Sequence, residues 1–252
     1  MTFIIQWNIN GYFRHLEQLK LIIHEYSPLI IWIQETNFKI RDVINLKDYT
    51  EYSKIRNTEQ ASGGVSMFVH NSLEFETVQL VSDVEAIAIC ISFPIKACIC
   101  NIYAPNSRNL EIDELTDLYN QLSKPLIMLG DFNSHSSMWG SYKKDKRGKI
   151  IEKMSDVTNI ALLNDLSPIQ FNISNGTSSA IDLSLCSPQL MPKLSWVTLD
   201  SLYDSDHYPI SITIPEQRTS YNTYNSSPNI SGTSKKLIGK NLLLVSPKTL
   251  RN

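Results

Sequence analysis

The chain has no long apolar run, no metal-spaced cysteines and almost no net charge, and each shortage removes a class of protein. No stretch of its 252 residues approaches the ~20 consecutive apolar residues of a membrane-spanning helix. The opening MTFIIQWNIN lacks the basic n-region and extended apolar h-region of a secretory signal, so an intracellular protein without membrane contact is expected. The four cysteines (Cys90, Cys98, Cys100, Cys186) show no CxxC or Cys/His zinc spacing, and three lie in apolar, strand-like runs where a buried thiol is ordinary. With 23 basic against 25 acidic residues, no global positive field draws in nucleic acid, and any grip on a phosphate backbone must be local. There is no internal repeat. Lys235-Lys236 is too short for an import signal, and the sequons at Asn172, Asn175, Asn225 and Asn229 are chance in an Asn/Ser-rich chain without a signal peptide.

What is present is a series of short apolar runs. Nine read as strands: Phe3–Trp7, Leu29–Ile33, Val65–Val69, Ala86–Phe93, Ala97–Ile102, Leu126–Leu129, Ile181–Cys186, Leu194–Leu199 and Ile210–Ile214. Helical spacing occurs over Phe13–Tyr26, Leu110–Leu122 and Gly148–Asn159, with Pro28 and Pro125 just past the first two. The link between 86–93 and 97–102 is too short for a parallel crossover, so antiparallel hairpins are required and a β-sandwich with outer helices is predicted. From Pro215 the composition turns to Ser, Asn, Thr, Tyr and Lys, which predicts one domain over 1–215 and a disordered tail over 216–252.

Polar residues fall at the strand ends. Asn8 and Asn10 follow the first run, Glu35 the second; Tyr103 ends ACICNIY, and Asp131 and Asn133 follow LIMLG. Asp182 begins IDLSLC, while Asp206 and His207 precede PISITI. If the last two strands run antiparallel to the others, all of these reach one rim of the sandwich. Taken singly, an Asp or Asn here is most simply a turn residue, because its side chain bonds nearby backbone. Joint occurrence at matching strand ends argues instead for a shared site.

The segments WNING, IIWIQET, GGVSMFV, NIYAPN, LGDFNSH, AIDLSLC and SDHYPI stand in an order that resembles the endonuclease/exonuclease/phosphatase superfamily of metal-dependent phosphoesterases, over residues 3–214. GDFNSHSSMWGS, DKRG, ALLND, NGTSSAIDL and Asn10 further resemble the endonuclease domain of Jockey-like non-LTR retrotransposons. The resemblance implies an α+β fold, a four-layer α/β/β/α sandwich with two mixed, largely antiparallel sheets face to face. It implies Mg²⁺, with Mn²⁺ as substitute, at Glu35, aided by Asn10 and Asp206. Asp131 would orient and deprotonate the attacking water, helped by Asn133, with D-x-N alternation in extended chain pointing both to one side. His207, held by Asp182, would be a cation beside the phosphate, and Asn8 and Tyr103 would bond its oxygens or hold Asp131.

Trp139, Lys143, Lys144 and Arg147 could approach a duplex backbone; the plainer reading is a solvated loop in which Arg147 and Gly148 start a helix. The implied activity is nicking of double-stranded DNA to leave a 3′-hydroxyl that primes a reverse transcriptase domain in a full element, by a monomer in the nucleus. Nothing in 215–252 looks like such a domain, so an excised domain, a truncated copy or a fragment is expected. A phosphatase of the same superfamily, or an inactive binding module from a decayed element, are the competing readings.

Overall fold

The computed structural model describes residues 2–56, 61–172 and 176–214. The tail proposed at 216–252 lies outside them, as do the sequons at Asn175, Asn225 and Asn229. Among the described residues the chain runs β1 (Thr2–Asn8), α1 (Leu16–Tyr26), β2 (Ile30–Gln34), β3 (Tyr49–Lys54), β4 (Val65–His70), β5 (Phe75–Val78), β6 (Glu85–Ile91), β7 (Ala97–Tyr103), α2 (Ile112–Asn120), β8 (Leu126–Asp131), α3 (Lys146–Thr158), β9 (Ala161–Leu162), β10 (Gln170–Asn172), β11 (Thr177–Ser179), β12 (Asp182–Cys186), β13 (Ser195–Thr198) and β14 (Ile210–Ile214).

Six strands in the order β13-β14-β1-β2-β4-β3 form one sheet and six in the order β5-β6-β7-β8-β12-β9 the other, while β10 and β11 pair as a separate hairpin. Two ladders are parallel, β1 with β2 and β7 with β8, and the others are antiparallel. The mixed, largely antiparallel sandwich is therefore as expected. The polar strands β3 and β5 carry too few apolar residues to stand out in the sequence; each is a sheet edge, partly exposed, held by one neighbour.

Alternation along β1 and β2 explains the layering. Ile4, Ile30 and Trp32 face the second sheet and join its Ala88, Ile99 and Leu129 in one core. Ile5, Trp7, Ile31 and Ile33 face the opposite way and pack with Leu19 and Ile22 of α1. Helices α2 and α3 cover the second sheet with Leu115, Leu118, Ile151 and Met154. Burial on both faces is why these strands read as continuous apolar runs. No helix among the described residues is long and apolar enough to cross a membrane.

Two features set the height of the strand ends. Asn101 of β7 crosses the sandwich: its Nδ2 donates to the carbonyls of Ile33 (3.0 Å) and Ser66 (2.8 Å), and its Oδ1 accepts from Gln34 Nε2 (2.6 Å). This fully buried bond set ties the end of β2 to the end of β7. Gly130 lets β8 lie against β7; its φ of +146° is strained for other residues, and a Cβ there would overlap the Ile102 carbonyl. Gly130→Ala is expected to cost on the order of 3 kcal/mol by forcing the two strands apart, measured by chemical denaturation. An unchanged midpoint would show that the ladder can shift without cost.

Candidate active site

The register assembles the rim. Tyr103 is opposite Asp131 across the parallel β7–β8 ladder, and Asp131 is opposite Asp182 across β8–β12, so three side chains stand in a row on one sheet. On the other sheet Asn8 is level with Gln34, immediately before Glu35. Because β12 and β14 run antiparallel to β8 and β1, Asp182 and the Asp206–His207 segment reach the same end, as their N-terminal positions predicted.

One hydrogen-bonded network joins the expected residues. Asn8 Nδ2 donates to Asp131 Oδ2 (2.9 Å) and Glu35 Oε1 (3.0 Å), while Asn8 Oδ1 accepts from the Asn10 backbone N–H (3.1 Å). Asn10 Nδ2 donates to Asp206 Oδ1 (3.2 Å). Asn133 supplies Asp131 with two donors, its backbone N–H to Oδ1 (2.8 Å) and its Nδ2 to Oδ2 (3.0 Å). His207 Nδ1 lies 2.9 and 3.1 Å from the two oxygens of Asp182. Glu35, Tyr103, Asp131, Asn133, Asp206 and His207 line an open cleft of about 460 Å³.

The D-x-N pair meets differently from the expectation of an extended chain. β8 ends at Asp131, and Asn133 has a left-handed φ of 47°. The Asn133 N–H bond back to Asp131 closes a tight Asx-type turn that brings both side chains together. The turn chemistry weighed as the plain alternative is the means by which the site is built.

Burial, then the Asp182 charge, pushes the Asp131 carboxyl up to about 8, against the lowering effect of His207 and the Asn133 N–H. Burial alone would lower the pKa of His207, but Asp182, by charge and hydrogen bond, with Asp131 and Asp206, carries the imidazole up to about 10. Tyr103 is raised by burial and then by Glu35 and Asp131, so its hydroxyl stays a donor. In metal-free protein the His207 ring is expected to remain protonated through pH 8, read from its ring carbon-bound proton shifts by NMR. A midpoint near 6.5 would show that Asp182 does not hold the charge. Since the folded pKa is raised, this pair's stability is complete below pH ~6.5 and is lost as pH rises through about 10.

Asp131, Asp182 and His207 present ligand atoms within 4.8 Å of one another. Both Asp182 oxygens are already committed to His207 Nδ1, and a protonated imidazole repels a cation. Half-buried Glu35 and Asp206, which line the cleft, and the Asn10 amide bonded to Asp206 instead offer hard oxygens, a donor set suited to a divalent ion that keeps several waters.

Two of the four residues considered for DNA contact are corrected. Trp139 is 2% exposed, packed in the core, with Nε1 bonded to the Ser134 carbonyl (3.1 Å), and has no face for a duplex. Arg147 starts α3, but its guanidinium bonds the carbonyls of Ala104 (2.6 Å), Pro105 (2.9 Å) and Arg108 (3.2 Å), holding the loop at the cleft mouth. Lys144 pairs with Glu152 at 2.7 Å, and Lys143 stays exposed. Residues not singled out from sequence also line the cleft: Asn37, Arg56, Asn106 and Gln170. Arg56, held by Glu85, lies with its guanidinium carbon 5.9 Å from the Tyr103 ring centre. Only Asn106 carried a signal, as the last residue of NIYAPN. Ser205 and Trp7 also act unseen, Ser205 Oγ bonding the Asn8 carbonyl (2.9 Å) and Trp7 Nε1 the His207 carbonyl (2.9 Å).

Comparison with known proteins agrees with this geometry. A family model described as endonuclease-reverse transcriptase matches residues 97–211. A probable RNA-directed DNA polymerase from transposon BS of Drosophila melanogaster is 26% identical over 87% of this chain and 25% of its own length. The RNA-directed DNA polymerase from mobile element jockey of the same fly is 22% identical over 81% of this chain and 23% of its own length. The chain thus spans about a quarter of the length of these curated relatives.

Among solved structures, the endonuclease domain of TRAS1, a telomere-specific non-LTR retrotransposon, superposes with a TM-score of 0.74 at 19% identity, covering 86% of this chain and all of that one. An AP endonuclease from Archaeoglobus fulgidus gives 0.65 at 16% identity, over 85% of this chain and 99% of that one. The four-layer sandwich, with its polar rim at matching strand ends, has the fold of these solved structures, and its residues 97–211 match the endonuclease-reverse transcriptase family model. The chain is similar to the proteins of transposon BS and mobile element jockey, and it shares its fold with the TRAS1 endonuclease domain.

Proposed function

We propose that this chain is a divalent-metal-dependent DNA endonuclease that nicks one strand and leaves a 3′-hydroxyl. The observation that carries the reading is the junction of three parts on one rim: a buried carboxylate held by three N–H donors (Asp131), an Asp182-bound imidazole (His207), and a half-buried carboxylate facing the cleft (Glu35). Asp131 takes the proton of the attacking water, and the donors from Asn8 and Asn133 orient it and favour its charged form against burial. As water bonds to phosphorus, the P–O3′ bond breaks, and the departing O3′ takes a proton from solvent to become the 3′-hydroxyl. Tyr103 and the His207 Nε2–H then donate to the phosphoryl oxygens where negative charge builds. Glu35, with Asn10 and Asp206, would hold Mg²⁺, or Mn²⁺ in its place, which when bound would supply Lewis-acid stabilisation of that charge and of the departing oxygen.

Double-stranded DNA is the substrate, and in an element that carries a reverse transcriptase the new 3′-hydroxyl is the primer. Similarity to retrotransposon proteins favours this substrate over small phosphoesters. Purified protein is expected to convert supercoiled plasmid to open circles with Mg²⁺ and not with EDTA. Absence of nicking by folded, metal-binding protein would overturn the nuclease reading.

A further inference from the structure

Cys90 and Cys98 stand directly opposite in the antiparallel β6–β7 hairpin. The Cys98 backbone N–H bonds the Pro125 carbonyl (2.9 Å), on the β8 side. Because the N–H and C=O of one strand residue point the same way, Cys98 makes no ladder bond to Cys90. The two are thus a non-hydrogen-bonded pair, the kind with the closer side chains and Cα atoms ~4.5 Å apart. That separation lies within the range a disulfide spans, so bonding needs no shift of backbone. The two Sγ atoms are 2.7 Å apart.

Access is uneven. Cys90 is partly exposed and Cys98 is 2% exposed. Both line an open cleft of about 680 Å³ that also carries Glu74, Glu76, Lys96 and Lys124. The cleft lies at the start of β7, whereas Tyr103 ends that strand, so the thiols stand apart from the catalytic rim.

We propose that Cys90 and Cys98 are a reversible dithiol/disulfide pair that closes on reaction with a low-molecular-weight disulfide of the glutathione class. The Cys90 thiolate attacks one sulfur of glutathione disulfide, forming a mixed disulfide and releasing the first glutathione thiolate. Cys98, as thiolate, then attacks the Cys90 sulfur, forming the intramolecular bond and releasing the second. Two electrons pass from the pair to the reagent, and the two thiol protons end on the two glutathione molecules. Entry is through Cys90, because burial, then the bond to Cys90, pushes the Cys98 thiol up to about 12 and keeps it protonated until its partner is modified.

The test is to incubate the native full chain with glutathione disulfide and read intact mass and digested peptides. The expected product has lost the mass of two hydrogen atoms, yields one linked species joining Cys90 to Cys98, and returns to the starting mass with dithiothreitol. Cys98→Ser should stop with one glutathione on Cys90, and Cys90→Ser should take up none. The same reaction in denaturant should scatter links onto Cys100, separating fold-directed from chance pairing. Glutathione remaining on wild-type Cys90, links to Cys100 in the native protein, or no reaction would each overturn the proposal. Circular dichroism of both variants confirms that the fold survives.

Discussion

Asp131→Ala is expected to cut metal-dependent plasmid nicking by roughly 10²–10⁴-fold, the range in which a positioned general base acts, with the fold retained. The isosteric Asp131→Asn should be as inactive and yet more heat-stable than the wild type in EDTA at pH 9. Asp131 is 1% exposed beside Asp182, and burial and that neighbour raise it from its ordinary value near 4 to about 8. A raised folded-state pKa means that the stability contributed by the protonated carboxyl is complete below pH ~4 and lost as pH rises through about 8. The advantage of Asn over Asp should therefore grow between pH 5 and 9 in thermal melts. A lower melting temperature for Asn at pH 9 would show that the bonds from Asn8 and Asn133 outweigh the repulsion. Nicking within threefold of wild type would remove Asp131 from the reaction.

The second large effect is at His207. His207→Ala should abolish nicking without unfolding the domain, but at a cost, because Asp182 is 0% exposed and loses the partner of both its oxygens. Breaking a buried pair from one side costs about 3–5 kcal/mol, set by the carboxylate left behind more than by the bond lost. Adding Asp182→Asn to His207→Ala should then restore most of the stability and none of the activity, measured by urea denaturation alongside plasmid nicking. A double variant no more stable than the single would mean that Asp182 is satisfied elsewhere. Full activity in His207→Ala would refute its assignment to the phosphate.

The gaps in the sequence reading have definite causes. No residue of the edge strands β3 and β5 is fully buried, so YTEYSK and FETV lack the apolar density that marked the central strands. Trp139 and Arg147 looked like DNA contacts because they flank the D-x-N turn beside lysines. Aromatic and guanidinium groups serve equally well inside, and here one fills the core while the other bonds three loop carbonyls. Arg56 sits at the end of an edge strand and reaches the cleft only because β3 pairs with β4, a long-range fact that no local pattern carries.

The sequence alone determined the sandwich class, the three helices and the polar residues at the ends of the strands, because apolar period and strand-end chemistry are local properties of the chain. The tertiary structure decided what those residues do to one another. Strand direction and register brought Asp182 beside Asp131 and His207, and the crossing bonds of Asn101 fixed the height of β7 against β2. Burial then turned separate side chains into a coupled set, raising both Asp131 and His207. Neither register nor desolvation can be read along a chain, since both depend on which distant strand lies alongside.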